Sequence, residues 1–258
     1  NDEDYRCGYV KIGSSSDRAG TIRIQSIVTG EDSGNDYDTY GENVTIYATG
    51  NVTIASSAGV LGSIVTEGYR ESGGDITIDH YGSLTVRDLD ASTRGEGIND
   101  HHAGRITLDG NDSSGDLAIR RVDLYDHRDK RGDTDRVPWF KARNYDNVTI
   151  SNIYGRARSG VGDDNPIDAA DVTITDGIDG DITILGDINL NHDNSNSDHG
   201  SIELTAGGSV TLADLDLDKI HYAALSSGSG ASEINGTISG FDTTTTGGSG
   251  TEGDPYIT

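Results

Sequence analysis

The sequence predicts an all-β fold, a β-solenoid of about eight coils of roughly 30 residues with three short strands in each coil. The first observation is a recurring unit in which a small or turn-forming residue is followed by aliphatic, Thr, aliphatic, as at residues 43–46, 51–54, 75–78 and 181–184. The second is composition. The chain has 36 glycines, and 35 of its 44 acidic residues are Asp, which favours turns and disfavours helices.

Two sets of strand starts recur with a nearly constant spacing of about 30 residues. The predicted first strands begin at Val10, Val44, Ile76, Ile106, Val137, Val172, Ile202 and Ile234. The predicted second strands begin at Ile22, Val52, Leu84, Leu117, Val148, Ile182 and Val210. A third short strand is expected after a two-residue corner, at Ile27, Leu89, Val122, Ile153, Ile188 and Leu215.

The alternation within each strand predicts which side chains face the core. Val, Ile and Leu are expected to stack inward, the intervening Thr to face outward, and Gly, Asn, Asp and Ser to form the corners. Each strand would pair with its equivalent about 4.8 Å away along the solenoid axis. The predicted β-helix covers residues 10–242, after an extension at 1–9 and before a tail rich in Gly, Thr and Ser at 243–258.

These repeats resemble the right-handed parallel β-helices of secreted bacterial proteins, namely filamentous-haemagglutinin-like and autotransporter-passenger-like adhesins and surface β-helix repeat proteins. The resemblance rests on the aliphatic-Thr-aliphatic units and covers about residues 9–240. It implies a right-handed solenoid that is extracellular or at the cell surface after removal of a signal peptide. The segment 250–257 is also similar to one that opens β-helical modules in bacterial surface proteins.

Charge and composition exclude several classes of protein. The formal net charge is -25, from 44 acidic against 19 basic residues, so nucleic acid is not an expected partner. No apolar stretch approaches the ~18 residues that a transmembrane helix needs. The single cysteine, Cys7, excludes an internal disulfide framework and leaves either a buried thiol or a bond to another chain.

The two ends of the predicted solenoid show no recognisable capping segment. Soluble solenoids usually cover their end strands, so uncovered ends indicate pairing with neighbouring copies. The residues expected to take part are Val10, Ile12, Ile234, Ile238, Tyr256 and Ile257. A tail strand added to the next subunit would make a head-to-tail homopolymer. The alternative is that the chain is a slice of a longer adhesin rod.

Ten of the 19 basic residues lie between positions 120 and 158, together with the only tryptophan. If successive coils place them on one side, they could bind an acidic polysaccharide through forked hydrogen bonds and ring stacking. The candidates for glycan binding are Trp139, Lys141, Arg143, Arg156 and Arg158. The alternative is an ion-paired insertion loop with Trp139 packed beneath it.

Two kinds of carboxylate chemistry remain open. Asp163 and Asp164 resemble the paired aspartates of β-helical pectin-degrading enzymes, which implies a polysaccharide lyase or hydrolase acting with the basic patch. Corner carboxylates could also bind Ca²⁺ without catalysis. The metal candidates are Asp163, Asp164, Asp187, Asp193 and Asp198. A solvated acidic surface is the alternative.

The sequence therefore favours a non-catalytic extracellular structural protein, a subunit of a surface filament that stacks end to end and is latched by its tail strand. The alternatives are an adhesin rod segment, a carbohydrate-binding β-helix, and the lyase or hydrolase.

Overall fold

The computed structural model describes residues 5–6, 8–30, 39–94, 102–112, 114–128, 137–159, 169–192, 200–216, 220, 222–228, 232–234 and 238–239. The strands in these ranges, numbered β1 to β27 in chain order, stack into a β-solenoid, and the stacked pairs are parallel except for β5 with β9. No helix occurs among these residues. The predicted all-β solenoid class is confirmed.

The first side of the solenoid is a sheet of eight parallel strands. In stacking order these are β2 (Val10–Ile12), β6 (Val44–Tyr47), β10 (Ile76–Asp79), β13 (Ile106–Asp109), β16 (Trp139–Arg143), β19 (Asp171–Ile174), β22 (Ser201–Ala206) and β25 (Tyr222–Ser227). Every pairing in this sheet joins strands one coil apart.

The second side has two columns of strands, which form an 11-stranded sheet and a separate two-stranded sheet at one end. The first column contains β3 (Ile22–Ile24), β7 (Val52–Ile54), β11 (Leu84–Asp90), β14 (Leu117–Asp123), β17 (Val148–Tyr154), β20 (Ile182–Ile184), β23 (Val210–Leu212) and β26 (Ser232–Ile234). The second column contains β4 (Ile27–Val28), β8 (Ser63–Val65), the later halves of β11, β14 and β17, then β21 (Ile188–Asn189), β24 (Leu215–Asp216) and β27 (Ile238–Ser239).

This second column confirms the predicted third strands that begin at Ile27, Ile188 and Leu215 and corrects the other three. Leu89, Val122 and Ile153 do not follow a corner but continue β11, β14 and β17, which are seven-residue strands. The two residues taken for a corner, such as Arg87 and Asp88, are consecutive and neither is buried. They interrupt the alternation of inward and outward side chains without ending the strand.

A separate third side is formed by short strands that the repeat pattern did not predict. They are β1 (Tyr5–Arg6), β5 (Thr39–Tyr40), β9 (Gly68–Tyr69), β12 (Thr93–Arg94), β15 (Asp126–Arg128) and β18 (Ala157–Ser159). Strand β1 precedes the first described coil, and the five coils that begin at β2, β6, β10, β13 and β16 each end in a third-side strand. The solenoid thus has about five complete three-sided turns rather than the eight predicted, although the first side stacks eight strands.

The register of the second-side ladder is confirmed from Ile22 to Val210. The first-side ladder is wrong at two positions. Phe140, not Val137, pairs with Ile106, because Pro138 has no N–H to donate within a central strand and β16 begins after it. Ile234 pairs with Leu212 on the second side, and Ala223 takes the first-side position opposite Ile202.

The core is one continuous column of inward side chains. Equivalent residues of successive coils lie directly above each other, as in the fully buried stack of Val44, Ile76, Ile106, Phe140 and Val172. Each buried aliphatic side chain contributes roughly 1.5–3 kcal/mol. A chain of low overall hydrophobicity can form this core because the column is narrow and needs few apolar side chains.

Corner side chains fix the register between coils by accepting backbone hydrogen bonds. The Oδ1 atom of Asn51 accepts from the N–H of Ser83, one coil later, at 2.9 Å. Asp75 accepts from Arg105 in the same way at 2.8 Å. Further links of this kind join Ser83 to Asp116, Asn147 to Asp181, Asp181 to Ser209, Asn43 to Asp75 and Asp171 to Ser201. This explains why the repeat unit begins with Asn, Asp or Ser.

One glycine makes room for a long-range contact inside the solenoid. Gly110 lies at the corner after β13, between the corners of the coils before and after it. Its missing side chain leaves space through which the buried Tyr145 reaches His80, two coils away, with 2.9 Å between Tyr145 Oη and His80 Nε2. A Cβ at position 110 would overlap the carbonyl oxygen of Asn144 and meet Tyr145 Cδ1 at 3.1 Å.

We expect Gly110→Ala to lower the free energy of unfolding by about 1–3 kcal/mol, because overpacking a filled interior forces its neighbours to shift. Gly20→Ala is the matched control, since a Cβ there meets no atom within 4 Å. Urea denaturation followed by circular dichroism measures both variants. Equal stability of the two variants would contradict this account of Gly110.

Candidate functional site

The predicted basic patch is divided between two sides of the solenoid. Trp139, Lys141 and Arg143 alternate along β16 on the outer face of the first side, with Phe140 and Ala142 facing inward. Arg156 precedes β18 and Arg158 lies within it, on the third side. The expectation that successive coils bring all five residues to one surface is therefore wrong.

Trp139 is enclosed by cations from its own side of the solenoid. The guanidinium carbon of Arg105, one coil earlier, lies 3.6 Å from the centroid of the indole ring. The Nζ atom of Lys141 lies 4.3 Å from the same centroid. The indole Nε1 donates to Thr107 Oγ1 at 3.4 Å. The ring is already stacked within the protein, so the geometry agrees with the packed alternative for Trp139 better than with a sugar-binding platform.

Arg143 is engaged in a paired contact. Its Nε and Nη2 atoms donate to Asp109 Oδ2 at 2.8 and 2.7 Å. Burial acts to raise the pKa of Asp109. Hydrogen bonds from Asn144, the Asn111 N–H and Arg143 outweigh burial and hold that pKa below its ordinary value. Arg143 thus neutralises a carboxylate of the preceding coil.

Most of the predicted carboxylate sites lie outside the described residues. This applies to Asp163, Asp164, Asp193 and Asp198. Asp187 is exposed before β21, and its N–H donates to Asn152 Oδ1 at 3.0 Å. Among the described residues, no group of three or more His, Cys, Asp or Glu is arranged to hold a metal ion.

Four of the six residues predicted to take part in self-assembly lie at the two ends of the described solenoid. Val10 and Ile12 are on β2, and Ile234 and Ile238 are on β26 and β27. Tyr256 and Ile257 lie outside the described residues. The strands β2 and β25 are the outermost strands of the first side, and β3 and β26 are those of the second.

The end that contains β2 and β3 exposes part of its core. Val10, Ile12 and Ile24 are only partly buried, whereas Ile46 and Ile54, the equivalents of Ile12 and Ile24 one coil on, are completely buried. Within the described chain, these strands have a partner on one side only. Their inward side chains therefore present apolar surface along the axis.

A groove of about 330 Å³ lies near this same end, on the second side. Its walls come from β4, β8 and the 55–62 loop, where Ala55 and Leu61 form an antiparallel bridge. Val28 and Val60 line it and are 59% and 66% exposed. In the sequence, this groove is marked by an unusually long spacing between two core positions. Val52 and Ile64 are twelve residues apart, whereas the equivalent residues of the other coils are five or six apart.

A cluster of largely buried carboxylates around the half-exposed Arg94 was not foreseen from the sequence. Arg94 lies 3.1 Å from Glu67, 3.7 Å from Asp90 and 3.8 Å from Asp123. Burial raises the pKa of Asp123, and the adjacent Asp90 adds to this, while Arg121 and Arg94 act in the opposite direction. These charges meet only when three coils are stacked, so no local motif marks them. The cluster joins the third side to the second.

The His80–Tyr145 pair has a defined protonation state. Burial lowers the pKa of His80 below 6.5 and raises that of Tyr145 well above 10. His80 Nδ1 lies 3.3 Å from the Tyr81 carbonyl oxygen, which can only accept, so the neutral ring donates there. Nε2 is then the acceptor for the Tyr145 hydroxyl. The pair is a neutral hydrogen bond enclosed in the core.

Comparisons with known proteins found no match to a family model, to a curated protein or to a solved structure. The described part of the chain contains no helix that is long and apolar enough to cross a membrane. The site is therefore interpreted from its own geometry.

We expect the buried neutral His80 to make stability depend on pH. Because its folded-state pKa is lowered, its contribution is complete above about pH 6.5 and is lost as the pH falls below that value. Between pH 7.5 and 5.5 this residue can lower the free energy of unfolding by at most about 1.4 kcal/mol. Urea denaturation at both pH values should show a smaller difference for His80→Leu than for the wild type. The same difference in both proteins would contradict this assignment.

Proposed function

We propose that this protein is a non-catalytic structural subunit that stacks end to end into an extracellular filament. The observation that carries the proposal is the presence of edge strands at both ends of the described solenoid. These strands belong to the same two sheets and run in the same direction. An edge strand with free N–H and C=O groups is a template for pairing with another chain.

End-to-end stacking would extend the strand pairing that already joins successive coils within the chain. The β25 and β26 end of one copy can pair in parallel with the β2 and β3 end of the next, as each coil pairs with its neighbour. This contact is head to tail, and such contacts give an open filament when rotation does not close them into a ring. The eight stacked strands of the first side, at about 4.8 Å each, predict an axial rise near 38 Å per subunit.

The partly exposed side chains at the first end support this arrangement. Val10, Ile12 and Ile24 would become as deeply buried as their equivalents in the next coil. Burial stabilises a contact by roughly 25 cal/mol for each Å² of apolar surface removed from water. Hydrogen bonds along two sheets would add to the stability of the junction.

Charge repulsion opposes stacking, because every subunit carries a formal net charge of -25. Salt shortens the range of this repulsion, and a divalent cation such as Ca²⁺ would neutralise it more effectively. We therefore propose Ca²⁺ as an assembly factor rather than a catalytic one. The extracellular location is proposed from the resemblance of the repeats to secreted bacterial β-helices.

The experiment that tests stacking is electron microscopy of the purified chain with and without Ca²⁺, together with light scattering for mass. We expect uniform fibres with an axial rise near 38 Å, more abundant with Ca²⁺. Monomers of 27.2 kDa under all conditions would contradict self-assembly. That result would instead favour the adhesin rod segment or the carbohydrate-binding alternative.

We expect Lys11→Pro to abolish or shorten the fibres while the subunit stays folded. The Val10 N–H donates to Asn43 O of the next coil at 3.0 Å, and amide directions alternate along a strand, so the Lys11 N–H points to the free edge. Lys11→Ala is the control that keeps this donor. Circular dichroism checks the fold and microscopy checks assembly; wild-type fibres from Lys11→Pro would exclude this edge as the junction.

A further inference from the structure

The groove and the last described strand lie in the same column of the second side. Ile27 pairs with Ile64, Ile64 with Leu89, and the column continues from there to β27 at the other end of the solenoid. Val28 and Val65, which line the groove, are on β4 and β8 of this column. In a head-to-tail stack, β27 of one copy would therefore lie under the groove of the next.

We propose that the groove between β4, β8 and the 55–62 loop binds the C-terminal segment 250–258 of a second copy, which latches the filament junction. This inference rests on the proposed stacking and adds to it the site at which the tail binds. The proposed occupant of the groove is the tail of the neighbouring subunit.

The length of the chain permits this contact. The ten residues from 240 to 249 connect β27 to the proposed segment and can span at most about 33–36 Å. In a stacked neighbour, the coil that carries β8 is two steps of about 4.8 Å from the coil of β27, or about 10 Å along the axis. The groove of the same chain is six steps away, or about 29 Å. The neighbour's groove is the nearer of the two.

The chemistry of the segment matches that of the groove. Residues 250–258 read GTEGDPYIT, with acidic Glu252 and Asp254 followed by apolar Tyr256 and Ile257. The groove offers an apolar floor and wall, formed in part by Val28, Val60 and Leu61. An apolar groove flanked by cations selects a peptide with this order of charges and apolar side chains.

The cationic side chains beside the groove are arginines, although the protein as a whole carries a formal net charge of -25. Arg87 lines the groove, donating from Nη2 to Ser63 Oγ at 2.9 Å and from Nε to Asp88 Oδ2 at 2.7 Å. The register places the exposed Arg120 next to Arg87, one coil further on. Arg23, on β3, donates from Nη2 to Ser56 O at the loop. The tail segment 243–258 contains no basic residue.

The test is site-specific cross-linking in the full-length chain. One chain, labelled with ¹⁵N, carries the photo-crosslinker p-benzoyl-phenylalanine in place of Tyr256, and it is mixed with an unlabelled chain. After irradiation, mass spectrometry identifies the joined peptides. We expect position 256 of the labelled chain to be joined to residues 25–28 or 56–65 of the unlabelled chain.

Matched variants of the unlabelled chain separate the groove from general surface contact. Val60→Asp places a carboxylate in the groove at an exposed position and should lower the mixed cross-link yield at least about tenfold. Leu185→Asp is the control, because Leu185 is 59% exposed on the second side away from the groove. Arg120→Glu should lower the yield about two- to fivefold, and Glu252→Lys in the labelled chain should restore it.

The outcomes distinguish the latch from the stacking on which it rests. Fibres with cross-links elsewhere, or only within one chain, overturn the groove as the tail site and leave end-to-end stacking in place. The absence of both fibres and mixed cross-links overturns both proposals. Equal yields for Val60→Asp and Leu185→Asp also overturn the groove assignment.

Discussion

The fold depends on the hydrogen bonds that each turn makes to the next at a fixed register. Backbone pairing sets the spacing between coils, and the corner side chains decide which residue lies above which. Asn51, Ser83 and Asn147 each accept a backbone N–H of the following coil. Once this register is set, the aliphatic side chains must stack on one another, because a shift of one residue would turn them to solvent. Core packing is thus a consequence of turn-to-turn pairing.

The same constraint makes the two ends different from every other part of the molecule. Inner strands form hydrogen bonds with the coil before and the coil after, whereas in the described chain β2 and β3 pair with only one neighbouring coil. A solenoid has no closing strand that removes its edges, unlike a barrel. The partial exposure of Ile12 and Ile24 follows from this geometry rather than from any unusual residue. The edge strands at the two ends of the described chain are therefore a consequence of the architecture.

The parts of the fold that were predictable are those encoded by short local units. The second-side ladder follows from a turn residue before an aliphatic-Thr-aliphatic strand, so its register could be predicted from Ile22 to Val210. Position 137 was misassigned because a valine before Pro138 imitates this unit. The contact between His80 and Tyr145 could not be predicted, since it spans two coils and requires the small Gly110 between them. The division of the basic residues between two sides was missed because the third side has no repeating signature.

A regular stack lacks one property that a filament junction needs, which is a unique register. Because strands on different sides carry nearly identical aliphatic-Thr-aliphatic units, an end strand could pair with the wrong side of the neighbouring copy, since weakly specified strands allow alternate pairings. The 55–62 loop breaks the repeat once, between β7 and β8, and it does so near the end where a neighbour would bind. An irregular feature at one end, together with a distinct acidic and apolar segment after the other, can define a single register. For this reason, the irregular segments of an otherwise periodic chain are the most informative about its partner.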